Sequence, residues 1–249
     1  IVLTAAVVML GVEKGIEKVS KILMPVLMLL IIGIGVYTLT LPGAIDGLIY
    51  YVKPDLSEFS IKTVIAAMGQ LFYSMSLAMG IMITYGSYMR KEDNIEKSVR
   101  QIEIFDTLVA FLAGLIIVPA VFVFSGGDRS ALNAGPKLMF VTLPNVFDSM
   151  SGGQIVGTVF FVLVALAALT SSISLMETVV SIMCERFKLK RVTSCLIVIA
   201  FSFLLGMVSI FGYSIWSDFT IFKMQMLDFF DFVSNNIMMP VVALMTLSL

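Results

Sequence analysis

The sequence predicts an all-α protein embedded in a membrane, on three observations. The chain of 249 residues is 59% hydrophobic and only 13% charged, about half the charge of a soluble domain. Six apolar runs are each long enough to cross about 30 Å of hydrocarbon. No run alternates strictly between apolar and polar residues, which selects helices over barrel strands. The same composition excludes a water-soluble enzyme and a disordered tail. A net charge of −1 leaves no basic face for nucleic acid, so no such partner is expected. The chain has no His, which removes imidazole catalysis and His-ligated metal. Cys184 and Cys195 lie in or beside apolar runs without CxxC spacing and read as free buried thiols.

Residues 1–10 are apolar but too few to span a bilayer, and they lack the basic leader and cleavage site of a signal peptide. They read as the end of a helix whose beginning lies outside this sequence, so an internal fragment is expected. Spans follow at residues 22–41, 64–89, 104–124, 155–183, 192–211 and 226–249. Lys and Arg in the connections set their orientation. One alternate set of loops (11–21, 90–100 and 185–191) holds eleven of these cations, and the other (42–62, 125–154 and 212–225) holds five. The first set is assigned to the cytoplasm. The outer loops are longer and carry turn and cap residues: Pro54, Asp55 and Ser57, then Ser125, Gly126, Gly127 and Asp128, then the stretch 144–153. Residues 47–52 and 138–150 are candidates for short helices over the outer mouth, and residues 151–153 restart the chain before the next span.

Three features are wrong for a passive bundle. Between Gly69 and Gly80 the second full span gathers Gln70, Ser74 and Ser76 near its middle. A helix broken there exposes backbone groups, which is tolerated at membrane depth only around a cavity or ligand. A continuous helix with small residues for close packing fits the same residues. The second feature is Thr170, Ser171, Ser172 and Ser174, four hydroxyls within five residues at the middle of the span 155–183. Hydroxyl and carbonyl oxygens suit a hard cation such as Na⁺, although such hydroxyls also bond to their own helix. The third is a set of acids, Asp106, Glu177 and Asp231, which sit inside spans or at their interfaces. An acid inside a span is costly and is a functional candidate.

These residues carry a resemblance. The segment 70–80 (QLFYSMSLAMG), the run 83–88 (ITYGSY) and the run 169–173 (LTSSI) are similar to the neurotransmitter:sodium symporter family, bacterial branch. Asp106-Thr107-Leu108-Val109-Ala110 with Val118-Pro119-Ala120, and 227–231 (LDFFD) with Ser234-Asn235-Asn236, agree in order and spacing. The resemblance covers essentially the whole chain. It implies the LeuT-type inverted-repeat bundle, represented here by the second repeat plus the fifth helix. On that alignment residues 1–10 end the fourth family helix and 19–43 form the fifth. Residues 61–90 form the sixth, broken near 76–80; 95–126 the seventh; 154–187 the eighth; 190–213 the ninth; and 224–249 the tenth.

The resemblance further implies a sodium-coupled symporter of amino acids, not an enzyme, in the cytoplasmic or inner membrane, working by alternating access. Its partners are the amino-acid substrate, the lipid bilayer and the N-terminal helices of the same protein. Tyr73, Ser74, Ser76 and Met79 line the implied substrate pocket, with Ser171 and Leu175 opposite. Ser74 and Asp106 match a first Na⁺ site; Ala167 (through its carbonyl), Thr170 and Ser171 match a second. Many members carry Asn where this chain has Asp106, and animal members need chloride nearby. The fixed charge of Asp106, with the apolar Ala110 one turn on, implies no chloride requirement. Tyr73, Met79 and Leu175 give an apolar, adaptable lining that suits a hydrophobic or aromatic amino acid. Gln70 and Asp231 match the outer gate, and Tyr88 and Glu185 the cytoplasmic gate, whose Arg partner lies outside this sequence. Gly15 and Pro25, with nine residues between them, match a motif at which the fifth helix unwinds. Proline removes an N–H and strains the preceding turn, so melting there is physically reasonable. A transporter-like sensor that binds without turnover is the alternative function. Half of each implied ion site lies outside this sequence, so the isolated chain is expected to show no Na⁺-dependent binding.

Overall fold

A computed structural model describes residues 1–53, 59–125, 138–148, 152–216, 218–222 and 224–248. The fold is helical throughout its long elements. In chain order they are α1 (Val2–Met9), a π-helical segment Val12–Glu17 that runs into α2 (Lys18–Leu39), α3 (Ala44–Val52), α4 (Ile61–Ser74), α5 (Ile81–Tyr88) and α6 (Ile95–Phe124). A π segment Leu138–Thr142 then opens α7 (Leu143–Asp148), followed by α8 (Gly153–Phe187) and α9 (Arg191–Gly212). Last come α10 (Met226–Asp231), a π segment Phe232–Met238 and α11 (Met239–Leu247).

Among the described residues, five helical stretches are long and apolar enough to cross a membrane: Gly15–Leu39, Ile95–Phe124, Gly153–Phe187, Arg191–Gly212 and Met226–Thr246. The apolar run 64–89 is divided between α4 and α5. Helix α6 begins at Ile95, ahead of its apolar run, because Glu96, Lys97, Arg100, Gln101 and Glu103 are helix-compatible residues that stay exposed. The short outer helices also differ from the sequence limits. Helix α3 starts at Ala44 rather than Gly47, behind a left-handed Gly43 and with Asp46 in its first turn. The stretch expected over 138–150 is π-helical to Thr142 and ends at Asp148. Turn residues Pro54, Asp55, Ser57, Gly126, Gly127, Asp128 and Ser151 lie outside the described residues, as do the ends expected at residues 126, 150 and 249.

The chain forms two compact units, one of Ile1–Val19, Val64–Ile95 and Leu169–Leu249, the other of Ser20–Thr63 and Glu96–Ala168. In the second unit α2 contributes Leu27, Ile31 and Ile34, at helical spacing, to a core with Ile116, Ala120 and Val121 of α6. Leu143, Val146 and Phe147 of α7 and Phe160 and Leu163 of α8 complete it. Phe147 and Phe160 meet with ring centroids 5.3 Å apart, and Tyr51 of α3 lies 5.6 Å from Phe111 of α6. Lipid tails are as apolar as these side chains, so close van der Waals fit, more than exclusion from water, holds such packing together.

The first unit is built around α8. Ile173, Met176 and Val180 of α8 bury one face against Ala5 and Val8 of α1, Ile16 of the π segment and Cys195 of α9. Both cysteines are free; Cys195 is buried and Cys184 half-buried. Gly15 sets the approach of the π segment to α1. A Cβ on Gly15 would stand 2.1 Å from the Val7 carbonyl oxygen, so only glycine lets the two backbones meet. Gly15→Ala is therefore expected to cost about 1–3 kcal/mol, the range for overpacking. A lowered melting temperature of the full-length protein in detergent checks this; an unchanged one would contradict the close approach.

Candidate functional site

Among the described residues, the interruption between α4 and α5 gathers three left-handed residues within five positions. Helix α4 ends at Ser74, where the N–H groups of Met75, Ser76 and Leu77 donate to the carbonyls of Leu71, Tyr73 and Phe72. Ser76, Ala78 and Gly80 then take left-handed φ values of 55°, 62° and 77°. For Ser76 and Ala78 that conformation costs about 1–2 kcal/mol each. Strain of this kind persists where the surroundings over-determine it, and it clusters at binding sites. Gly80 meets the demand without penalty, and α5 starts from it with Thr84 N–H donating to its carbonyl at 2.9 Å. A Cβ on Gly80 would lie 3.2 Å from the Thr178 methyl, so the start of α5 is seated directly on α8.

Helix α8 presents different chemistry on its different faces. Its hydroxyl-rich middle is partly consumed in packing. Ser172 Oγ lies 2.8 Å from Thr4 Oγ1 of α1 and donates to the Leu169 carbonyl at 2.8 Å. Ser174 accepts a hydrogen bond from the Tyr85 hydroxyl of α5 at 2.9 Å. Ala167, Thr170 and Ser171 share one face, at i, i+3 and i+4; Ser174, which donates to the Thr170 carbonyl at 3.3 Å, falls on the same face, and Leu175 follows one turn after Ser171. Ser171 is exposed and Leu175 is 48% exposed. Ala167 belongs to the second unit and Thr170 and Ser171 to the first, although one helix carries all three.

The charged centre of the first unit is Glu177. It is 0% exposed and so needs partners on both oxygens. The Tyr88 hydroxyl at the end of α5 donates to Oε1 at 2.7 Å. The Arg191 guanidinium at the start of α9 pairs with Oε2, and its Nε donates to the Val8 carbonyl of α1 at 2.8 Å. Four elements thus meet at one ion pair. No buried side-chain polar atom among the described residues lacks a hydrogen-bond partner.

The remaining sequence candidates fall as follows. Tyr73 is half-exposed on the last turn of α4, and Ser76 and Met79 lie in the interruption. Gln70 is exposed on α4, a helix with no buried residue. Asp231 closes α10, exposed, and accepts from the Asn235 amide at 2.6 Å across the first turn of a π segment. Asp106 is half-buried on α6 in the second unit, and Pro25 is exposed inside α2. Glu185 is exposed near the end of α8. Of the two residues assigned to the cytoplasmic gate, Tyr88 is bound by Glu177, with an Arg from within this chain completing the cluster. Among the described residues, no group of three or more Cys, Asp and Glu is arranged to hold a metal. A monovalent ion bound by hydroxyls and carbonyls needs no such group.

The family model described as the sodium:neurotransmitter symporter family matches residues 1–248. The chain belongs to that family. A Haemophilus influenzae relative, named an uncharacterized sodium-dependent transporter, is 37% identical over 235 residues, covering 94% of this chain and 50% of that one. A Bacillus subtilis protein of the same description is 37% identical over 247 residues, covering 98% and 53%. Among solved structures, MhsT in complex with L-phenylalanine matches with a TM-score of 0.84 at 36% identity, covering 97% of this chain and 54% of MhsT. The chain therefore spans about half the length of these relatives. Its fold is of the LeuT type, it is a multi-pass membrane protein, and its family is one of sodium-dependent transporters.

Sequence reasoning singled out Glu177 as an intramembrane acid but did not find Arg191. The available signal was the rule that such an acid requires a cation. Arg186, Lys188, Lys190 and Arg191 all lie within fourteen residues of it, so spacing alone could not choose.

Proposed function

We propose that the whole protein carries an amino acid, hydrophobic or aromatic, into the cell by sodium-coupled symport across the cytoplasmic membrane. The observation that carries this reading is the interrupted helix: two half-helices separated by left-handed residues, with the second seated at Gly80 on the hydroxyl-bearing α8. Half-helix ends in an apolar medium offer backbone oxygens and dipoles to ions and to a zwitterionic substrate. On this reading Tyr73, Ser74, Ser76 and Met79 line the substrate pocket with Ser171 and Leu175. Ser74 and Asp106 hold one Na⁺; the Ala167 carbonyl, Thr170 and Ser171 hold the other. The L-phenylalanine bound by MhsT supports an aromatic substrate.

Coupling follows from state-dependent affinity, because ions and substrate shift the protein only as far as they bind one conformation better than another. Gln70 and Asp231 close the outer side, and Tyr88 and Glu185 the inner side. Melting between Gly15 and Pro25 admits water to the second ion. A π-helical turn already stands at Val12–Glu17, and such turns recur at functional sites. Asp106 supplies the negative charge that makes chloride unnecessary.

The test is uptake of radiolabelled phenylalanine, tryptophan and leucine by the full-length protein in proteoliposomes, with an inward Na⁺ gradient and no chloride. Accumulation above the external concentration, abolished by a Na⁺ ionophore, is expected. Saturable binding without accumulation would replace the symporter with a sensor.

A further inference from the structure

The connection between α9 and α10 places Ile215, Trp216, Phe219, Ile221 and Phe222 close together in sequence, where the other connections assigned to the outside carry turn residues. Four of them, Ile215, Trp216, Phe219 and Phe222, are exposed, Phe222 to 82% and Ile215 to 77%. The backbone holds them there. The Trp216 N–H donates to the Phe211 carbonyl at 2.8 Å, and the Phe219 N–H to the Trp216 carbonyl at 2.9 Å. A tight turn then closes between Ile221 and Met224, whose N–H groups donate to each other's carbonyls at 3.0 and 2.9 Å. Phe222 stands in that turn with a left-handed φ of 52°, a conformation that glycine and asparagine take far more readily. The turn itself does not call for a large apolar side chain at that position.

The rings are not thrown clear of the spans. Trp216 meets the ring of Phe211, in the last turn of α9, edge-on with centroids 5.3 Å apart, and Phe222 lies 6.5 Å from Phe229, one turn into α10. The two helix ends also touch: a Cβ on Gly212 would stand 2.8 Å from the Met226 Cβ. Both rings therefore sit at the level where two stretches able to cross a membrane, Arg191–Gly212 and Met226–Thr246, have their neighbouring ends. In a bilayer that level is the headgroup boundary, where amphipathic aromatic rings concentrate. We propose that this corner is an interfacial anchor, inserting Ile215, Trp216, Phe219 and Phe222 into the adjacent leaflet between headgroups and acyl chains. Left in water, all four would stay unfavourably hydrated. Four side chains are also too few for a stable contact with a second protein, which takes about 20–30 residues a side. Helix α10 starts from this corner, so the anchor fixes the height of its first turn in the membrane. The proposal uses contacts within one unit and is independent of the substrate and ion assignments.

The experiment attaches the fluorophore NBD at Phe222→Cys in the full-length protein, its other accessible cysteines replaced, in liposomes of phosphatidylcholine and phosphatidylglycerol. Nitroxides carried on the lipid, near the headgroup or near the acyl-chain end, report depth, and iodide in the water reports exposure. Quenching by the shallow nitroxide is expected to exceed that by the deep one at least about twofold, because interfacial side chains reach only about 5–10 Å into the headgroup boundary. Trp216 gives the same reading without a label: the emission of the wild type minus that of Trp216→Phe should show the same preference for the shallow nitroxide. Quenching by iodide but by neither nitroxide would put the tip in water and overturn the proposal. Protection from all three quenchers would put it beneath the rest of the protein or a second copy, and stronger quenching by the deep nitroxide would put it inside the hydrocarbon; either result overturns the anchor as well. Should the labelled variant melt below the wild type, the Trp216 difference decides.

Discussion

Glu177→Ala is expected to destabilise the full-length protein by about 3 kcal/mol, near the lower end of the cost of breaking a buried ion pair. The carboxylate is 0% exposed, and its removal takes one acceptor from the Tyr88 hydroxyl and the counter-charge from the Arg191 guanidinium, whose side chain is 30% exposed. That residual exposure lets Arg191 recover some solvation, which is why the lower end applies. Glu177→Gln keeps the shape and an acceptor for Tyr88, and it should lose roughly half as much. Thermal unfolding in detergent, followed by the loss of monodisperse protein, measures both. An Ala variant that unfolds with the wild type would mean that the pair is absent from the folded protein.

The second large effect concerns the proposed first sodium site. A carboxylate about 4 Å from a monovalent cation contributes about 4 kcal/mol at an effective dielectric constant of about 20. Asp106→Ala should therefore raise the Na⁺ concentration for half-maximal substrate binding by at least about a hundredfold. Asp106→Asn keeps an oxygen ligand without the charge and should fall between the two. Folding is checked separately by the melting temperature, since Asp106 is only half-buried on α6. Wild-type Na⁺ dependence in Asp106→Ala would remove this residue from the ion site and leave the fold untouched.

The helices were legible because apolar length alone marks a span, whereas Gly69, Ser74, Ser76 and Gly80 fitted a continuous helix as well as a broken one, and only the family resemblance placed a break near 76–80. The three π segments were not legible. One extra residue in a turn changes neither composition nor period enough to read over five to seven residues. The hydroxyl cluster 170–174 stood out, but its division did not. Only packing reveals that Ser172 is taken by Thr4 and Ser174 by Tyr85, while Ser171 is exposed. Arg191 stayed hidden for a related reason. It is one of four cations in a seven-residue connection, and the fold, not the spacing, turns one of them onto Glu177.

The central claim is that ions and substrate share a site built around the interruption after Ser74 and the hydroxyl face of α8. The most direct measurement is equilibrium binding of radiolabelled phenylalanine, tryptophan, tyrosine and leucine to the full-length protein, in Na⁺ against K⁺ and without chloride, for the wild type and Ser171→Ala. Saturable binding in Na⁺ alone, strongest for the aromatic amino acids and weakened in Ser171→Ala, is the expected result. Equal binding in Na⁺ and K⁺, or a Ser171→Ala variant that binds as the wild type does, would contradict the account.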